Sequence, residues 1–172
     1  MNFVFFIYLI AARACIGAAL PTDVKNFLLV TTSQVDANAE PAELRAVSAT
    51  SLYDPFNQPA LLLRLIGPGY GSLPNFTLND GTLSTLAQAP HGGGLLRYNS
   101  TLVKAGQELR FLAAEQPKGN IALDEGYLLT VDGEREGWTI CEGALTTDVL
   151  SWKGNASDCT KTYLHAVTKA PY

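Results

Sequence analysis

The sequence is poor in the residues most chemistry requires: three cysteines, two histidines and no run of basic side chains in 172 residues. His91 and His165 stand far apart, with no Cys, His or carboxylate at ligand spacing around them, so a metal centre is not indicated. The cations are scattered singly. Phosphate binding needs them clustered, which argues against nucleic acid and against an anionic membrane surface as partners. No Gly-x-Ser-x-Gly elbow is present, because Tyr70 stands where the glycine before Ser72 would be needed. Helical periodicity is almost missing, which disfavours a parallel sheet built on crossover helices. The end of the chain, Val167–Tyr172, has no hydrophobic tail of the kind a lipid-anchor signal carries.

One long apolar run stands at the other end. Residues 3 to 12 are uninterruptedly apolar and lead to the small residues Gly17-Ala18-Ala19, the pattern of a secretory signal. The reading is a signal at 1–19, cut after Ala18 or Ala19, and one extracellular domain at 20–172. Its flaw is the cation: Arg13 follows the apolar core instead of preceding it. Cys15 would leave with the signal, so Cys141 and Cys159 form an even pair, and in an exported chain that implies a disulfide. Closing a loop of this length is worth about 3 kcal/mol in the chain-entropy account. Of 12 basic residues, Arg13 is lost with the signal, which leaves a net charge of −5 against the 16 acidic ones. Three Asn-x-Ser/Thr triplets, at Asn75, Asn99 and Asn155, are candidate glycosylation sites in a eukaryotic exported chain.

The body of the chain reads as many short strands punctuated by Gly, Pro, Asn and Asp. Strands are predicted at Phe27–Thr31, Ala60–Ile66, Phe76–Leu78, Thr82–Leu86, Leu95–Tyr98 and Leu109–Ala113. Others follow at Tyr127–Val131, Trp138–Cys141, Val149–Trp152 and Tyr163–Val167. Ala60–Ile66 is apolar nearly throughout and reads as a central strand. A helical turn or two is allowed at Glu40–Val47. Two hairpins are expected, one turning at Asn79-Asp80-Gly81 and one opening at Asp132-Gly133 with Trp138–Cys141 as its return strand. The segments Leu78–Leu86 and Leu123–Val131 share the pattern Leu-[Asn/Asp]-[Asp/Glu]-Gly-x-Leu-x-Thr-[Leu/Val] at an offset of 45 residues. Three such units would fill the domain, although no third copy is evident. The fold class is therefore all-β, a single antiparallel barrel resembling a β-trefoil, with a β-sandwich as the alternative.

His91-Gly92-Gly93-Gly94 has the composition of an oxyanion loop, but without the nucleophile elbow it reads as a turn. Gly67-Pro-Gly-Tyr-Gly71 lacks the Lys-Ser/Thr of a phosphate loop and reads as a turn also. His165 lies in an apolar run and reads as a core histidine. Carboxylate pairs such as Asp124-Glu125 fall in turns, as solvated charge. No catalytic residue, cofactor or metal is assigned. Tyr70, Trp138 and Trp152 are candidates to stack on sugar rings; the competing reading packs both tryptophans around the disulfide.

Three runs carry a likeness to known proteins: Phe27–Ser33, Leu61–Ser72 and Glu136–Cys141. They resemble small secreted fungal proteins of the phialide-type cell-wall group. That resemblance implies a secreted, wall-associated or surface antigen-like protein and not an enzyme; the first expectation is a protein that associates with wall polysaccharide or contributes to the cell surface. The alternative on residues alone is an exported effector or inhibitor that binds another protein.

Overall fold

The computed structural model describes residues 24–36, 45–50, 60–66 and 73–169. They form β1 (Val24–Thr32), β2 (Arg45–Thr50), β3 (Ala60–Leu65), β4 (Phe76–Asn79), β5 (Thr82–Gln88), β6 (Leu95–Ser100) and β7 (Gln107–Glu108). The chain continues through β8 (Arg110–Leu112), β9 (Ile121–Asp124), β10 (Leu128–Val131), β11 (Trp138–Glu142), β12 (Asp148–Trp152), β13 (Thr160–Lys161) and β14 (Tyr163–Val167). The strands are joined in a single antiparallel sheet, as an all-β class requires. The signal at 1–19, the loop at Gly67–Gly71 with Tyr70, and residues 40–44 lie outside the described residues.

Each predicted strand corresponds to an observed one. In β3, Leu61, Leu63 and Leu65 are buried while the residues between them are half-buried, and the strand pairs with β2, β8 and β12. That is the environment its near-continuous apolarity called for. The turn at Asp80-Gly81 is a two-residue hairpin with both residues at positive φ, 47° and 75°. Such a turn matches the twist of the strands it joins. Its echo is also a hairpin, with one residue more: β9 and β10 are joined through Glu125, Gly126 and Tyr127, the first two at φ 51° and 81°.

Two expectations are corrected. Arg45–Val47 is strand, not helix, because it fills the space between β1 and β3 and hydrogen-bonds to both. The chain does turn at Asp132-Gly133, closing a bridge from Val131 to Glu134. Trp138–Cys141 is not the return strand, however. Both edges of β10 are taken, by β9 and β14, and β11 pairs with β12 and β13 instead.

The pairings recur along the chain. Hydrogen bonds lead from β1 through β4 to β5, from β9 through β10 to β14, and from β14 back to β1. The step from β5 to β9 is made at a glycine contact: Ile121 N–H donates to the Gly81 carbonyl at 3.1 Å and Gly119 N–H to that of Asp80 at 3.2 Å. The pairs β2–β3, β6–β8 and β11–β12 are antiparallel, the second of them with β7 intervening in the chain. Three buried leucines link β3 and β12 through the residue between β7 and β8: Leu63 N–H donates to Leu109 C=O at 3.0 Å, and Leu109 N–H to Leu150 C=O at 3.2 Å. One core lies within, where Phe76 sits between Phe27 and Phe111 at ring separations of 6.4 and 6.2 Å.

Candidate functional site

Trp138 and Trp152 belong to the core. They face each other across the β11–β12 ladder, edge to face, with ring centroids 5.2 Å apart. The Trp138 indole N–H donates to the Leu129 carbonyl at 3.0 Å, a bond buried from solvent. Gly137 lies so close to Trp152 that a Cβ there would come within 2.7 Å of the ring. As platforms for a sugar they are therefore excluded, because almost none of either ring is open to solvent. Tyr98 is buried as well.

The cysteines pair as expected, Cys141 with Cys159. The loop between them passes directly over the bridge: a Cβ on Gly154 would lie 2.6 Å from Cys141 Sγ and 3.0 Å from Cys159 Sγ. Asn155 follows at once and is exposed, together with Ala156 and Ser157. Asn75 is exposed at the start of β4, and its backbone carbonyl accepts a 2.9 Å bond from Thr85 Oγ1. Asn99 differs. It is half-buried within β6, which is paired on both sides, and its Nδ2 donates to the Ala114 carbonyl at 3.2 Å.

His91 is exposed in a one-turn 3-10 segment at φ 59°, and among the described residues no hydrogen bond or ion pair ties it to a serine or carboxylate. No group of three or more potential metal ligands is found among the described residues. His165 is buried in β14 between Val30 and Leu128, edge-on to Tyr127 at 5.2 Å. Its Nε2 has no hydrogen-bond partner, so the core histidine read from sequence is only half satisfied. Burial holds its pKa below 6.5; hydrogen bonds to the backbone of Val35 and Gln34 oppose that more weakly. Stability should accordingly be level above pH 6.5 and fall as the pH drops below it. In that window the unfolded chain takes up a proton that the folded chain resists. Melting temperatures between pH 8 and 5 would show the decline, and His165→Phe should flatten it in the same window.

The feature sequence reading missed is the far half of the β5–β6 hairpin. β4 reaches only to Thr85 and β8 only to Asn99, so no further strand pairs with Leu86–Gln88 or Leu95–Arg97 among the described residues. Here the two strands pair only with each other and are closed by Pro90–Gly92; Ala87 and Ala89 still pack inward, while Leu86, Leu95 and Leu96 are exposed by 54, 67 and 40%. A signal was present in the sequence: Leu95-Leu96 next to three glycines cannot all face inward across so short a hairpin. Ranking these leucines as surface required knowing where β4 and β8 stop. No family model matches the chain, and no curated protein or solved structure is similar enough to carry an argument.

Proposed function

We propose that the chain is an exported, non-enzymatic binding protein that engages a protein partner through the tip of the β5–β6 hairpin. The observation that carries the reading is the end of this hairpin, where Leu86 and Leu95 are exposed on one face beside Gln88 and Arg97 and Leu96 is exposed on the other. Exposed apolar clusters with polar rims are the usual mark of protein-binding surfaces. The disulfide favours an oxidising compartment, and no helix among the described residues is long and apolar enough to cross a membrane. The same reading takes the strands as a β-trefoil, in which β1, β4, β5, β9, β10 and β14 form a barrel and three hairpins close one end. The leucine contacts and the 45-residue echo support it. Wall association, the role implied by the fungal resemblance, ranks second because Trp138 and Trp152 are spent on the core.

A photoreactive side chain placed at position 95 tests the proposal in native extracellular medium. Leu145 is equally exposed, 67%, in the turn between β11 and β12, and serves as the control position. A discrete protein adduct from position 95 and none from position 145 is the expected result. No adduct, with the protein instead retained on insoluble chitin, β-glucan or mannan, would overturn the reading in favour of polysaccharide.

A further inference from the structure

A groove runs over the outer face of β4, β5 and β6. The register sets Thr77 opposite Ser84, Ser84 opposite Asn99 and Leu86 opposite Arg97, so these side chains stand on one face of the sheet. Phe76, Leu78 and Leu83 take the other face and are buried. Two concavities, of about 230 and 670 Å3, lie on this outer face and share Asn26, Thr77, Ser84 and Arg97 as lining. The smaller one opens at Asn75 and has Leu86 as its apolar wall. The larger continues past Asn79 to Asn99. Arg97 is held in place by a 3.1 Å bond from Nη1 to Ser84 Oγ.

We infer that this groove is the seat of an N-linked glycan carried by the chain's own Asn75. The lining suits a saccharide: amides, hydroxyls and the Arg97 guanidinium for its oxygens, with Leu86 for an apolar sugar face, and Lys25, Asp80, Glu115 and Lys118 as charged groups along the larger concavity. Asn75 is exposed at the mouth, and the Thr85 bond to its carbonyl fixes the backbone from which the side chain enters. Asn99, at the far end, already spends its amide on Ala114 within a doubly paired strand and is the poorer acceptor. In the modification, the Asn75 amide nitrogen bonds the anomeric carbon of an N-acetylglucosamine. The donor is a lipid pyrophosphate-linked oligosaccharide; the pyrophosphate leaves and the amide gives up one proton. The seated glycan covers Leu86 at the root of the hairpin and leaves Leu95 and Leu96 free at its tip.

The inference rests on the reading of the chain as exported, and its test is separate from the cross-link at position 95. The full chain is secreted from a eukaryotic host, and its glycopeptides are assigned by mass spectrometry. Asn75 is expected to be occupied. Its glycan should be released from native protein by endoglycosidase about tenfold more slowly than from denatured protein, the protection a few net hydrogen bonds supply. Leu86→Ser and Arg97→Ala, both at exposed positions, should restore fast release without shifting the thermal transition. A secreted chain bare at Asn75, or a glycan there released equally fast from native protein, overturns this inference and leaves the hairpin reading standing. A chain that stays unglycosylated in the cytosol overturns both.

Discussion

Gly119→Ala is expected to cost about 4 kcal/mol, near the top of the range for a single substitution. A Cβ at Gly119 would lie 2.0 Å from the Gly81 carbonyl oxygen, 2.5 Å from its carbon and 2.9 Å from the Thr82 nitrogen. All three are backbone atoms of the β4–β5 turn, so no side chain can swing away to make room. The turn itself must move, and the bonds from Gly119 and Ile121 to Asp80 and Gly81 break with it. Gly126→Ala is the informative contrast. Nothing lies within 4 Å of its added methyl, and only the positive φ of 81° opposes it, at a cost of about 1 to 2 kcal/mol. Urea midpoints at constant slope would separate the two. Similar losses at both positions would mean that the backbones do not approach as described.

Trp138→Ala should be as severe, about 3 to 5 kcal/mol, for a different reason. The side chain is among the largest fully buried ones and packs edge-on against Trp152. Removing it opens a cavity between the β11–β12 ladder and β10. Trp138→Phe divides the effect, because it retains most of the apolar volume but removes the indole N–H. The Leu129 carbonyl is then buried without its donor, a loss of about 1 to 3 kcal/mol. Chemical denaturation followed by the fluorescence of Trp152 would report both variants. A Trp138→Ala protein as stable as the parent would place the indole at the surface, and reopen a stacking role for it.

These two substitutions mark what the sequence does and does not disclose. The β4–β5 turn was legible because Asn79-Asp80-Gly81 is local chemistry, and so was the strand character of residues 60–66. The apposition of Gly81 and Gly119 was not, because two glycines 38 positions apart in the chain announce nothing about each other. β2 was hidden for a related reason. Arg45-Ala-Val47 has no strand pattern of its own and is drawn into the sheet by the edges of β1 and β3. For the candidate site, the tryptophans were visible as residues, but their burial is decided by which strands lie across from β11. The outer groove arises from strand register, and a slip of one residue would turn every one of its side chains to the other face.

The pairing of β1 with β14 bears on how the molecule is made. Leu28 is matched to Val167 and Thr32 to Tyr163, so the first described strand waits for the last. At ribosomal speed, synthesis of the intervening chain takes on the order of ten seconds. Throughout that interval Leu29 and Val30 present an unfinished edge to every neighbouring nascent chain. β2 and β4 reach β1 much earlier, so the seam between β1 and β14 is the last of the pairings of β1 to close.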